Sequence, residues 1–232
     1  MGIGFGARCI VLIYSIVTSG LWVMGLTLPL HKHWKDAWRD LGLSPPPSVL
    51  DVLLVRYAEP QRAYHTLDHI RECFENLDAA PVTAEHPSDL AIALWFHDAI
   101  YDTRASDNEE QSAKWACAVL LQASASQEVA DRVRALVLIT RHNVEPATED
   151  ERLLLDLDLS ILGAPQERFD EYETQIRFEY SWVPEEDFCR ARARILREFI
   201  ARPRLYRTRY FQAQFEARAR ENLARSLARL AA

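Results

Sequence analysis

Apolar residues recur at helical spacing along nearly the whole chain, and nowhere does a period-two alternation persist. That pattern excludes a sheet protein and predicts an all-α fold. Glycine supports it: seven glycines in 232 residues are too few for a β-architecture built on glycine turns. Apolar residues make up 49% of the chain, enough to fill a core, and a net charge of -7 does not predict disorder. The length suits one domain, or one domain with an appendage.

Helix signals then divide the chain. Trp34, Ala37, Trp38 and Leu41 form one stripe between His33 and Leu43, and Pro45-Pro46-Pro47 breaks it. Ser48 is the expected N-cap of a helix from Val49 to Ala58. Thr66 is the expected cap of one reaching Asp78, with Ile70, Phe74 and Leu77 inside. Pro87-Ser88-Asp89 opens a segment, Leu90 to Phe96, that is apolar nearly all round and so belongs at the centre. Further helices are expected over Asn108–Ala123, Gln127–Thr140, Glu149–Leu162, Gln166–Tyr180, Pro184–Ile200 and Tyr210–Ala231. The sum is an irregular bundle of about nine or ten helices in a single domain.

The N-terminal segment, residues 1–29, stands apart from the helical domain of residues 30–232. Cys9 to Leu30 carries no formal charge and is long enough to cross a bilayer. Three readings compete: a start placed too early, with Met24 the true start; a membrane anchor; and a secretory signal. The four cysteines lie far apart without a CxxC pair, which favours a reduced, cytoplasmic setting. The acidic balance predicts no nucleic-acid scaffold. Charge is uneven, however, with twelve arginines against three acids between Arg190 and Arg229. That run reads as solvated helix faces or as a basic rim for a phosphorylated ligand. Aromatics between Tyr206 and Phe215 would allow a homodimer if exposed.

The chemistry sits in the histidines. His65 and His69 are four apart, about one helical turn. His97-Asp98 ends the apolar central segment, where two adjacent polar groups need something to satisfy them. A divalent metal does so, because imidazole and carboxylate both suit such ions. Asp156 and Asp158 offer further carboxylates in an apolar stretch. About 200° of helix rotation separates them, so only one can point inward. Each piece alone has an ordinary explanation as a cap or a surface group; the ordered series carries the metal reading.

On these residues the chain resembles the HD-domain superfamily of metal-dependent phosphohydrolases, in its uncharacterised bacterial branch. The order His69, His97-Asp98, Asp158 matches the family's His, His-Asp, Asp. The matching stretches are RAYHTLDHI, WFHDAIYD, DNEEQSA, ITRHN and DLDLSILG. The resemblance implies a helical HD-type core, metal ligands His69, His97, Asp98 and Asp158, and a divalent ion: manganese, iron, magnesium or zinc. YHxxxHI is also similar to the YHxxxHA stretch of cyclic-nucleotide phosphodiesterases. By motif position this makes His69 a ligand and His65 the general acid, and it favours Asp158 over Asp156. Tyr101 stands where alarmone hydrolases carry Glu, which weakens that assignment.

The expected activity is hydrolysis of a small phosphorylated substrate such as a nucleotide. His65, Asp102, Glu109 and His142 are the expected catalytic or water-orienting groups, with Glu110 beside them. Arg62 and Arg141 are the expected phosphate grips. The alternatives are a non-catalytic nucleotide-binding module, and a di-iron oxygenase that would recruit His142 and Glu109 as ligands.

Overall fold

The computed structural model describes residues 22–230. Among them are ten α-helices, one 3-10 turn and no strand, so the all-α expectation holds. In chain order the helices are α1 (Trp22–Asp40), α2 (Val49–Tyr57), α3 (Leu67–Ala79), α4 (Pro87–Phe96) and α5 (Asn108–Gln122). Then follow α6 (Gln127–Ile139), α7 (Glu149–Asp158), the 3-10 turn (Leu159–Gly163), α8 (Gln166–Glu179), α9 (Glu185–Ala201) and α10 (Arg209–Leu230).

Helix α4 is the axis of the bundle. Every residue from Asp89 to Phe96 is buried, because a helix apolar on all faces must be covered on all faces. Helices α1, α3, α5, α6 and α7 pack around it. On α1 the expected stripe is inside: Trp34, Ala37 and Trp38 are buried together with Leu30. Trp34 meets Trp95 of α4 edge-on at 5.6 Å. Asp89, buried in the first turn of α4, is held by Arg132 Nε of α6 at 2.6 Å.

Helix ends follow local chemistry more closely than the sequence pattern predicts. The side chain of Thr66 does cap α3, accepting from Asp68 N. Ser48 does not cap α2. It lies at φ 65°, and its side chain makes no capping bond, because the left-handed backbone turns the hydroxyl away from the first turn. Thr148 and Glu151 form a reciprocal capping box on α7. Helix α1 begins at Trp22, upstream of the expected start, with Pro29 inside it. It ends at Asp40 because Gly42, at φ 69°, lets Gly42 N and Leu43 N fold back onto Arg39 O and Trp38 O. This is the glycine-terminated helix end that needs no Cβ.

The expected helix Glu149–Leu162 is cut short at Asp158, and the chain tightens into the 3-10 turn. Side chains from the following segments take over its carbonyls. Tyr206 Oη donates to Leu159 O at 3.0 Å, Asn222 Nδ2 to Leu162 O at 2.9 Å, and Arg218 Nε to Gly163 O at 2.8 Å. Helix α10 therefore presses on this turn, and Asp158 becomes the last helical residue of α7.

Much of the arginine-rich tail is structural. Arg218 and Arg220 satisfy backbone carbonyls, and Arg225 and Arg229 pair with Asp170. Tyr206 and Phe211 are buried, and with the partly buried Phe215 they form a ring stack. Cys73, Cys117 and Cys189 are free thiols. Cys9, and residues 1–21 as a whole, lie outside the described residues. No helix among the described residues is long and apolar enough to cross a membrane.

Gly163 generates a test of the α10 contact. A Cβ added there would sit 2.7 Å from both Phe215 Cβ and Phe215 O. Gly163→Ala is expected to lower unfolding free energy in urea by about 1–3 kcal/mol, the usual cost of overpacking. A neutral substitution would mean that α10 does not pack this closely.

Candidate metal centre and its cleft

Four elements deliver the site. His69 comes from the first turns of α3, His97 and Asp98 from the end of α4, Asp158 from the end of α7, and His142 from the turn after α6. His69, His97 and Asp158 offer donor atoms that all lie within 4.8 Å of one another, a group able to hold a metal ion. The individual distances are tighter. His69 Nε2 stands 3.1 Å from His97 Nε2 and 3.3 Å from Asp158 Oδ1. Asp98 Oδ2 lies 3.1 Å from His97 Nε2 and 3.6 Å from His69 Nε2. Donors that each sit ~2.1 Å from one shared cation stand roughly 3.0–3.5 Å apart, so the cluster has the dimensions of a coordination shell.

Orientation supports the same conclusion. His97 Nδ1 donates to Leu94 O at 2.9 Å. That bond fixes the tautomer and aims the Nε2 lone pair into the cluster, the usual arrangement behind a ligand imidazole. Both histidines are about 1% exposed. The two imidazoles are buried and the two carboxylates reach the cleft, and the His69, His97 and Asp158 donors could hold a divalent cation.

The charges of the cluster are interdependent. Burial would raise the Asp98 carboxyl, yet the His97 and His65 imidazoles beside it hold it well below the ordinary range. Asp158 behaves alike: burial is outweighed by hydrogen bonds from His142, His69 and His97. His97 moves up, because Asp98 and Asp158 outweigh its burial.

His142 joins the cluster through Asp158, with Nε2 3.0 Å from Oδ2. Its backbone is left-handed at φ 57°. Such a conformation in a residue with a Cβ costs about 1–3 kcal/mol and persists where surrounding contacts impose it. Asp156 points the other way, as the rotation argument requires. It accepts from Arg207 N, Thr208 N and Thr208 Oγ1, each at 2.7 Å.

His65 lies before α3, not on it, yet its ring comes within 6.1 Å of His69. The loop is fixed by a residue that no sequence motif marks, Glu179 at the end of α8. Its Oε1 accepts from the backbone N–H groups of Ala63, Tyr64 and His65 at 2.7, 2.8 and 3.0 Å. Its Oε2 accepts from His65 Nδ1 at 2.7 Å and from Tyr101 Oη at 2.9 Å. Burial would raise Glu179, but His65 and the backbone donors draw it down to about 2. His65 is raised, with Asp98 and Glu179 outweighing its burial. Tyr101 stacks on His65 at 4.1 Å, so this tyrosine helps to hold the His65 ring in place.

Other expected residues fall elsewhere. Arg62 does not face the cleft and is corrected to a positioning residue. Its guanidinium is spent on Asp98 O at 2.6 Å, Ala99 O at 3.1 Å, His65 O at 3.2 Å and Glu59, which ties the His65 loop to the His97-Asp98 corner. Asp102 is likewise away from the cluster. Exposed, it accepts from Arg104 N at 2.9 Å and shapes the turn before α5. Arg141 and Glu109 do line the cleft, but Arg141 is engaged by Glu110 and by Ser106 O, and Glu109 lies 3.8 Å from it.

The cleft itself is a cavity of ≈ 660 Å³ with Asp98, Asp158, His65 and His142 at its floor. One wall is polar, with Asn108, Glu109 and Arg141. The other is apolar, with Ile176, Phe188, Ile195 and Phe199. Comparison of the chain with family models, with curated proteins and with solved structures gives no match.

Glu179 carries a pH-dependent prediction. Its folded pKa, about 2, lies below the ordinary 4.5, so its stabilisation is complete above pH 4.5 and is lost as pH falls toward 2. Glu179→Gln is expected to cost on the order of 3 kcal/mol in urea unfolding at pH 6. The gap from wild type should narrow steadily below pH 4.5. An equal gap at pH 3 and pH 6 would assign the loss to packing alone.

Proposed function

We propose that this chain is a metal-dependent phosphohydrolase with an HD-type helical core, acting on a small phosphorylated substrate. One observation carries the reading: the buried Nε2 atoms of His69 and His97 stand 3.1 Å from each other and 3.1 to 3.6 Å from the carboxylates of Asp98 and Asp158, which line an open cleft. His69, His97, Asp98 and Asp158 would hold the ion, and their mixed nitrogen and oxygen donors suit manganese, iron, magnesium or zinc. When bound, such an ion supplies Lewis acidity, acidifying water and stabilising charge on a phosphoryl oxygen.

The chain's own residues supply the rest. Glu179 takes the His65 Nδ1 proton in a hydrogen bond and favours the imidazolium. The opposite ring edge, Nε2, is then a proton donor in a side chain that lines the cleft. As water adds to phosphorus and the ester P–O bond breaks, His65 gives that proton to the leaving oxygen. The proton released by water restores it. The Ile176, Phe188 and Phe199 wall would take the organic part of the ester.

The di-iron alternative needs His142 and Glu109 as added ligands. His142 reaches Asp158, but Glu109 leans on Arg141, which favours hydrolysis.

Two variants test the reading. Asp98→Ala is expected to remove both the metal found by elemental analysis and all turnover in a phosphatase and phosphodiesterase panel; metal retained at full stoichiometry would sink the site. His65→Asn is expected to keep its metal while kcat falls about 10²–10⁴-fold, the usual contribution of a positioned proton donor. Loss of metal in that variant would make His65 a ligand instead.

A further inference from the structure

A second cavity, of ≈ 420 Å³, adjoins the metal cleft. It is lined by His142, Asn143, Val144, Glu145, Arg202, Pro203, Arg204 and Arg207. His142 and Asn143 also line the metal cleft, so the two cavities meet at the residue that bonds Asp158.

Three arginines and one carboxylate residue line this small space, with the Arg202 guanidinium over the Phe199 ring at 4.5 Å. Glu145 pairs with Arg207, through Oε1 at 3.2 Å and Oε2 at 3.1 Å. Its side chain is 79% exposed, so water and salt screen the pair and an incoming anion can replace it at little cost. Arg202 and Arg204 form no ion pair among the described residues. Burial and the repulsion of Arg207 disfavour the charged form of Arg202 and outweigh the opposing pull of Glu145 and Glu198.

The backbone that carries the arginines is held in place. Residues 202–208 form an irregular link between α9 and α10, and its backbone is held at both ends. Arg220 donates to Ile200 O, Arg202 O and Pro203 O at 3.1, 2.8 and 3.1 Å. Glu216 accepts from Leu205 N and Tyr206 N at 3.0 and 3.2 Å. Asp156 accepts from Arg207 N and Thr208 N. Helix α7 therefore offers Asp158 to the metal cleft and Asp156 to the arginine link, two residues apart. Arginine forks on a backbone held in this way are the protein group best matched to phosphate-type oxyanions.

We infer that Arg202, Arg204 and Arg207 form a second site for a phosphate-type oxyanion, adjacent to the metal cleft at His142 and Asn143. The occupant is either the second phosphate of a substrate whose first phosphate lies at the metal cluster, or free phosphate that reports on the cleft. The site rests on its own geometry; only the assignment to substrate rests on the hydrolase reading.

The test has two arms, both on the full chain. The first needs no turnover: binding of inorganic phosphate and pyrophosphate, by calorimetry, to metal-stripped wild type, Arg204→Gln/Arg207→Gln and Asp98→Ala. The double variant is expected to bind at least ~10-fold more weakly, with Asp98→Ala near wild type. Equal affinity in wild type and the double variant overturns the site. The second arm compares a bisphosphate with its monophosphate on metal-loaded enzyme. If the occupant belongs to the substrate, the double variant lowers the ratio of their kcat/KM at least ~10-fold. If that ratio holds while phosphate binding falls, the site takes free phosphate. Absence of turnover on every ester would count against the hydrolase reading, while the calorimetric comparison would still decide whether the arginines bind phosphate.

Discussion

Two imidazole nitrogens 3.1 Å apart, both nearly sealed from water, are a demand that the rest of the molecule exists to meet. Lone pairs at that distance repel unless something positive lies between or beside them. With a carboxylate beside them, the His69, His97 and Asp158 donors form a group that could hold a small cation. Convergence from three separate helices is expensive in chain order, and the bundle supplies it. A central helix apolar on every face lets α3 and α7 pack close to its end, and the early end of α7 leaves Asp158 at the meeting point.

Supporting polar groups hold this centre from outside. Leu94 O fixes the His97 ring, and Arg62 ties together the carbonyls of His65, Asp98 and Ala99. His142 grips Asp158 from a left-handed backbone. Each bond lies one step beyond the donors. Each restricts where a donor can point, which is how a site built on separate helices keeps its geometry.

Much of this was legible in the sequence. Helical periodicity gave the architecture and the central place of Leu90 to Phe96, and the His-Asp pair at the end of that segment marked one corner of the cluster. The four-residue spacing of His65 and His69 does not reflect a shared helix, because His65 precedes α3. The rotation argument showed that only one of Asp156 and Asp158 faces inward, and the family resemblance chose Asp158. What escaped depends on distance in the chain. Glu179 meets His65 across 114 residues, and no local pattern marks it. Arg62 sits beside the motif and has the look of a phosphate grip; only its carbonyl partners, some 36 residues away, reveal otherwise. Ser48 fails as a cap because its backbone turns left-handed, which residue type alone does not report. The 3-10 turn after Asp158 owes its form to α10, again a distant partner.

Glu179 occupies the final residue of α8 and gives no donor to the metal cluster. Helix ends unravel before helix middles. Warming should therefore loosen the loop that carries His65 while His69, His97, Asp98 and Asp158 still stand together. On the proposed hydrolase reading, heat would then abolish turnover before it released the metal.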